Sequence, residues 1–397
     1  MGRSNKKKVV WLFSHLLFRT GGNRFILEVT RRLQKSWDVS IIIEKASLEI
    51  KNEFKQNGIN ISEIGSLTSI SPIYWLFFPL MLRMNEKRIK KETNDADVII
   101  SGMFPMNFIA TKLDKPTIQN CWEPYALFHD KHYINGFTRP QSLFIRTLAV
   151  LYKHKDMSGT MNSDIISTLN RATEDLIKKV YGREVVRTYM GVDTDFFRPL
   201  PVSSSIGNKR TVILHSTDYT MQKGTGYLIK ALPLIKDKVR DVKLIITHTH
   251  CNPKEKTNLI NRARMLGVDE YIEFAGTVPY SKLPEYYSLA DVVVFTGHPE
   301  CYGSTASLTV LEAMACETPA VRSIGCNEEV EDGVSGILVD PRNRVELADA
   351  IVKILLDKDL AKKMGKEGRN RVLTLYNWEN VSKIFSDMIS QLLERRV

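Results

Sequence analysis

Along the chain, short runs of apolar, β-branched residues alternate with longer stretches in which apolar residues return every three or four positions. Runs of the first kind suit strands buried on both faces, and the second kind suits helices packed beside them. In the first half the pattern predicts strands at Lys8–Phe13, Asp38–Ile43, Asp97–Ser101, Thr117–Cys121 and Val185–Tyr189. In the second half it predicts them at Thr211–His215, Val242–Thr247, Tyr271–Ala275, Val292–Thr296, Ala320–Ile324 and Gly336–Val339. Strands and helices alternating this regularly imply parallel sheets with helical crossovers, so the expected class is α/β, with two doubly wound domains in series. The stretch FFRPLPVSSSIGNKR, Phe196 to Arg210, gathers Pro, Ser and Gly before a fresh strand and puts the boundary near Ser205. The expected organisation is residues 1–204, residues 205–377, and a closing helix in 378–397 that returns to the first domain. Doubly wound sheets take ligands outside the carboxyl ends of their strands, which makes a cleft faced by both domains the expected active site.

Composition narrows this only slightly. A chain of 397 residues exceeds one ordinary core, and 43% hydrophobic with 25% charged residues is a soluble globular balance that excludes disorder. Five cysteines without a CxxC suggest reduced thiols and a cytoplasmic setting. The opening KKKVVWLFSHLLFRT imitates a secretion signal, but His15 and Arg19 stand where small cleavage-site residues belong, and a first strand explains it better.

Charge changes the picture more. The net +11 is concentrated in residues 1–200, with 30 Lys+Arg against 20 Asp+Glu, while residues 201–397 carry 26 against 25. The first half therefore faces something anionic: nucleic acid, an acidic membrane surface or a phosphorylated acceptor. No nucleic-acid-binding module is recognisable, which sets that class aside. The segment SISPIYWLFFPLMLRMNEKRIKK, Ser69 to Lys91, joins Tyr74, Trp75, Phe77 and Phe78 to a dense basic run. It reads equally as an interfacial helix on an anionic bilayer and as a core helix with a solvated tail. A second basic and apolar stretch, Arg139 to Lys155, tips the reading toward a peripheral place on the cytosolic face of a membrane.

Two stretches of the second half carry candidate chemistry. After strand Thr211–His215, the turn HSTDYTMQKGTG offers the hydroxyls of Ser216, Thr217 and Thr220, then Lys223, ahead of a helix, an arrangement that suits phosphate. In HPECYGSTASLTVLEAMACETPAV, Ser304 or Thr305 can cap a helix whose amides point at the same ligand, and Glu312 lies within it among Leu311, Ala313 and Met314. A carboxylate in such company is seldom buried unless something fixed uses it, and a ribose diol fits.

The strings GVDTDFFRP, QKGTGYLIKAL, GVDEYIEFAGTVPYSKLPEYYSLADVVVF, LTVLEAMACETPAV and EEVEDGVSGILVDP occur in an order and spacing that resemble the retaining glycosyltransferases of family four, from Gly21 to Tyr376. The resemblance implies the GT-B fold: two Rossmann-like domains, acceptor on the first and nucleotide-sugar donor on the second. It implies that Lys223 neutralises the donor diphosphate, that Glu312 holds the ribose, that the amides of Leu308 and Thr309 meet phosphates, that Gly22 approaches the reacting centre, and that Thr277 and Val278 frame the base. It implies a UDP- or GDP-sugar as co-substrate, no separate cofactor and no metal.

Three departures bear on the site. Eleven residues separate Glu300 from Glu312 where the family has seven, and a strict count lands on Ser304, so either Glu300 or Ser304 addresses the transferred sugar. The turn before Lys223 lacks the family's arginine, leaving Arg322 or Arg24 to be recruited. In CWEPYALFHD, Trp122 stands where relatives carry histidine. There Glu123 is the better acceptor contact, His129 is a further candidate, and the tryptophan is a candidate stacking wall. The function so implied is transfer of a hexosyl unit to a membrane-presented, lipid-linked or glycan acceptor. A catalytically degenerate GT-B scaffold and a GT-B nucleotide-sugar epimerase remain the alternatives.

Overall fold

The computed structural model describes residues 6–395 except Arg19, Ser66, 202–209, Asp218, 249–251, 300–306 and 326–327. The chain divides into two compact units, Met1–Tyr189 with Glu379–Val397, and Met190–Trp378. The division falls ahead of the Pro- and Ser-rich stretch expected to mark it. Phe196 and Phe197 already belong to the second unit, where Phe196 stacks on Tyr280 at 5.0 Å and Phe197 meets Tyr287 at 5.9 Å.

The first unit holds β1 (Lys8–Leu16), β2 (Asp38–Ala46), β3 (Asn60–Glu63), β4 (Val98–Ser101), β5 (Thr117–Asn120), β6 (Ile165–Thr168) and β7 (Val186–Arg187). They form one parallel sheet in the order β3-β2-β1-β4-β5-β6-β7. The second unit holds β8 (Thr211–Ser216), β9 (Val242–Thr247), β10 (Ile272–Gly276), β11 (Val292–Phe295), β12 (Ala320–Ser323) and β13 (Gly336–Val339), also parallel, in the order β10-β9-β8-β11-β12-β13. Each sheet is the doubly wound arrangement that the alternating pattern predicts. Two strands were not among those predicted: β3, NISE, is polar and lies at an edge, and β6, IIST, is only four residues long.

The helix Trp378–Glu394 packs on the first unit. Its residues Val381, Phe385, Met388, Ile389 and Leu392 are buried, and Phe385 lies 5.5 Å from Trp11 and 6.0 Å from Phe25, ring to ring. Polar ties fix its register: Arg32 Nε donates to Glu379 Oε1 at 2.9 Å and Trp37 Nε1 to Ser386 Oγ at 3.0 Å.

The aromatic segment is divided between core and surface. Tyr74, Trp75 and Phe78 enter the core with Phe104, and Trp75 lies 5.0 Å from Phe78. Ile73, Leu76, Phe77 and Leu80 stay exposed, followed along the helix Phe78–Glu92 by exposed Met84, Lys87 and Lys91. The segment Arg139–Met161 is a single helix with Leu143, Phe144, Val150 and Leu151 exposed among Arg139, Arg146 and Lys153.

Beneath the aromatic segment lies Glu44, fully buried near the end of β2. Its Oε1 accepts from Tyr74 Oη and Asn85 Nδ2, each at 2.7 Å, while its Oε2 and Asn85 Oδ1 have no partner among the described residues. Burial pushes this carboxyl from 4.5 up to about 8, against the opposing pull of the two hydrogen bonds. The unfolded chain therefore loses this proton near pH 4.5 and the folded chain keeps it to about pH 8. Glu44's contribution is complete below the lower value and is lost as pH rises through that window. Glu44→Gln, whose amide can supply Asn85 Oδ1 with a donor, should match the parent in urea denaturation at pH 4 and exceed it at pH 8.5 by a few kcal/mol, on the order set by the linkage relation. Equal stability at both pH values would count against a protonated Glu44.

Candidate nucleotide site

The strand order of the second unit reverses between β8 and β11, and ligands of doubly wound sheets bind beyond the carboxyl ends of strands at such a point. From β8 the chain passes Ser216 and Thr217 into the 3-10 turn Met221–Lys223, whose last amide donates to Thr220 O at 3.1 Å. Gly224 follows with φ +73° and starts the helix Thr225–Lys238. Glycine is required there for two reasons: the backbone is left-handed, and a Cβ would lie 1.8 Å from Thr296 O. Thr296 Oγ1 donates to Gly224 O at 2.9 Å, stapling the turn to the end of β11. His215 is a second staple, with Nδ1 2.7 Å from Val294 O and Nε2 3.0 Å from Thr225 Oγ1. Its tautomer follows, since the carbonyl can only accept and so takes the Nδ1 proton, while Nε2 accepts from the threonine. Gly224→Ala should cost about 1–3 kcal/mol or more, as overpacking does, and abolish nucleotide-induced stabilisation in thermal melts.

Lys223 reaches over Phe295 at the end of β11, with Nζ 5.7 Å from the ring centroid. Arg322 of β12 approaches the same ring, Cζ at 4.5 Å, but it is buried and bonded to Glu329 Oε1 at 2.9 Å and Ser323 Oγ at 3.0 Å. Arg24 pairs with Glu28 at 2.9 Å and Glu53 at 4.0 Å. Both arginines considered for the diphosphate are thus engaged by carboxylates.

Across from the turn, Leu308–Ala315 forms a helix buried from Val310 onward. Its cap is Ser307, not Ser304 or Thr305: Ser307 has the extended backbone of a cap, φ −137° and ψ 108°, and its Oγ accepts from Val310 N at 3.4 Å. Glu300, Ser304 and Thr305 lie outside the described residues. Among the described residues no acceptor meets the amides of Leu308 and Thr309, the first two N–H groups of this helix, which a helix cannot pair within itself. Thr309 Oγ1 donates to Ser216 O at 2.8 Å and fixes the helix start against β8.

Glu312 follows one turn later, 7% exposed, and its Oε2 accepts from Tyr287 Oη at 2.7 Å. Burial and the adjacent Glu312 push the Tyr287 phenol well above its ordinary range, so it stays a donor. The structure therefore gathers Ser216, Lys223, Thr309 and Glu312 around the switch point. Thr277, exposed, and Val278, half-buried, follow β10, the edge strand two places from β8.

Gly22, expected at the reacting centre of the donor site, and the expected acceptor residues Arg24, Glu123 and His129 belong to the first unit. Gly22 sits in the first turn of the helix Gly21–Leu33, which is capped by Thr20. A Cβ on Gly22 would stand 2.6 Å from the Trp122 ring, which is braced by Phe13 at 5.7 Å and Phe25 at 5.8 Å. Trp122 and Glu123 are half-buried. His129 is enclosed instead of presented to an acceptor: its side chain is 2% exposed, and Nε2 is held 2.8 Å from Asp156 Oδ2, which also accepts from Tyr181 Oη at 2.7 Å. The pair joins the short helix Ala126–His129 to the helix Arg139–Met161.

Sequence reasoning missed Tyr287, His215, Thr296 and Ser307. Ser307 had a local signal, being the last hydroxyl residue before an apolar helical run. The other three act through partners far along the chain, and composition gives no hint of them.

Residues 198–371 match the family model described as glycosyl transferases group 1. A GDP-mannose-dependent alpha-(1-6)-phosphatidylinositol monomannoside mannosyltransferase of Mycobacterium tuberculosis is 29% identical over 241 residues, covering 57% of this chain and 62% of the relative. Of solved structures, a glycosyltransferase from Rickettsia africae aligns with a TM-score of 0.76 at 18% identity, over 98% of this chain and 99% of that one. An Anabaena protein in complex with UDP aligns with a TM-score of 0.75 at 16% identity, over 97% and 100%. Both units thus have the GT-B fold of these structures, and residues 198–371 of the chain resemble the group 1 glycosyltransferases.

Proposed function

We propose that this protein transfers a hexosyl unit, with retention of configuration, from a UDP- or GDP-sugar to an acceptor presented at a membrane, lipid-linked or glycan in nature. The observation that carries the reading is the convergence at one switch point of an ammonium, two helix-start amides that meet no acceptor among the described residues, and a buried carboxylate. Lys223 and the amides of Leu308 and Thr309 suit a diphosphate, and Glu312 suits the ribose hydroxyls. A relative named for its dependence on GDP-mannose and a structural neighbour solved with UDP support a nucleotide-linked donor.

In the reaction the bond from the sugar's anomeric carbon to the β-phosphate oxygen breaks, and a bond to the acceptor oxygen forms on the same face. The acceptor's proton passes to the departing diphosphate. Charge accumulates on that diphosphate, and fixed donors that strengthen their hold as it grows lower the barrier. The ammonium and amides take the place of a metal ion, so turnover is expected to survive excess EDTA; loss of activity restored by a divalent cation would contradict this.

The acceptor reading rests on the first unit. The exposed Leu76, Phe77, Leu80 and Met84 beside Lys87 and Lys91 form an apolar and basic face suited to an anionic bilayer. Among the described residues no helix is long and apolar enough to cross a membrane, and the association proposed is peripheral. A thermal-shift panel of UDP-, GDP- and ADP-sugars, followed by turnover of the stabilising donor with a lipid acceptor, tests the whole. Binding without turnover would identify a scaffold, and release of an isomerised sugar an epimerase.

A further inference from the structure

The hydroxyl of Tyr287 is the meeting point of four elements. Thr247, at the end of β9, donates to Ser216 Oγ at 2.8 Å, Thr309 Oγ1 donates to Ser216 O at 2.8 Å, and the Ser216 hydroxyl lies beside that of Tyr287. Tyr287, on the helix Leu283–Leu289, donates to Glu312 Oε2 at 2.7 Å. Hydrogen bonds in such a chain polarise one another, and here they end on one carboxylate. The tyrosine is itself held: it is 1% exposed, its carbonyl accepts from Thr318 Oγ1 at 2.6 Å, and its ring meets Phe197 at 5.9 Å. Phenylalanine would meet every packing demand there, so the hydroxyl serves Glu312.

Glu312 is buried in the helix Leu308–Ala315. A carboxyl can turn about its last bond, and a donor fixed on Oε2 opposes that. We propose that Tyr287 is a positioning residue for ribose recognition, holding Glu312 in one orientation so that its carboxylate meets the ribose hydroxyls of the donor. This rests on the assignment of Glu312 to the ribose made above.

The test compares the affinities of GDP and UDP with those of their 2′,3′-dideoxy counterparts, by calorimetric titration, in the parent and in Tyr287→Phe. The parent should prefer the ribonucleotide by about tenfold or more, and Tyr287→Phe should reduce that preference to about twofold, with affinity for the dideoxy compounds unchanged. Equal loss for both nucleotides would make Tyr287 a packing residue only and overturn the proposal while leaving the ribose assignment intact. A parent that does not distinguish the two nucleotides would overturn the ribose assignment and the proposal with it. Ser216→Ala, which interrupts the chain one residue behind, keeps the test readable if Tyr287→Phe does not fold. A partial fall in the ribonucleotide preference supports the chain, and an unchanged preference contradicts it.

Discussion

Replacing Lys223 with alanine is expected to lower kcat by about 10²–10³-fold while changing KM for the donor much less, because the ammonium acts chiefly on charge that develops as the glycosyl bond breaks. The turn that carries it is fixed independently, by Gly224 against Thr296 and by His215 against Val294 and Thr225. The substitution should therefore leave fold and melting temperature nearly unchanged. Lys223→Arg should recover only part of the rate, since a planar fork and a compact ammonium place charge differently. A kcat within threefold of the parent would show that the leaving group departs elsewhere. A proportionate rise in KM with kcat preserved would show that Lys223 binds without catalysing.

The second large effect concerns the first unit. Exchanging Arg83, Lys87, Lys90 and Lys91 for glutamine removes four exposed cations from the helix Phe78–Glu92. Each basic residue near an anionic surface contributes about 1 kcal/mol, so binding to phosphatidylserine vesicles should fall by two orders of magnitude or more. The fold should tolerate the change, since the core face of that helix is Phe78, Leu82, Asn85 and Ile89. Turnover of a water-soluble acceptor should persist. Vesicle binding that is insensitive both to these substitutions and to salt would remove the membrane from the account. Binding that survives them but fails after Leu76, Phe77 and Leu80 are made serine would assign the attachment to the apolar face alone.

The two sheets were legible in the sequence because their strands are short, apolar and bounded by turns, a signal that needs no partner. β3 was lost because an edge strand needs no apolar face, and NISE has little. β6 had a signal, the apolar pair of IIST ahead of the capping Asn170, but the run is short and follows a long helix. The basic and aromatic segment could not be divided from composition, because burial of Trp75 and exposure of Leu76 depend on helix phase against a core assembled from distant residues.

The site followed the same rule. Lys223 and Glu312 stood out because a lysine ahead of a helix and an acid inside an apolar helix are locally anomalous. Tyr287 did not, because a tyrosine near a buried strand is ordinary until its partner 25 residues later is known. His129 is the reverse case: it is only a further candidate where Trp122 stands in place of the family's histidine, and Asp156, 27 residues on, holds its enclosed side chain. Arg322 is similar: only the fold shows that Glu329 engages it.

The most direct measurement is a crystal structure of the protein with GDP or UDP bound. The account predicts the diphosphate within hydrogen-bond reach of Lys223 Nζ and of the Leu308 and Thr309 amides, with the ribose hydroxyls on Glu312. A diphosphate resting beyond the reach of both the lysine and those amides would contradict it.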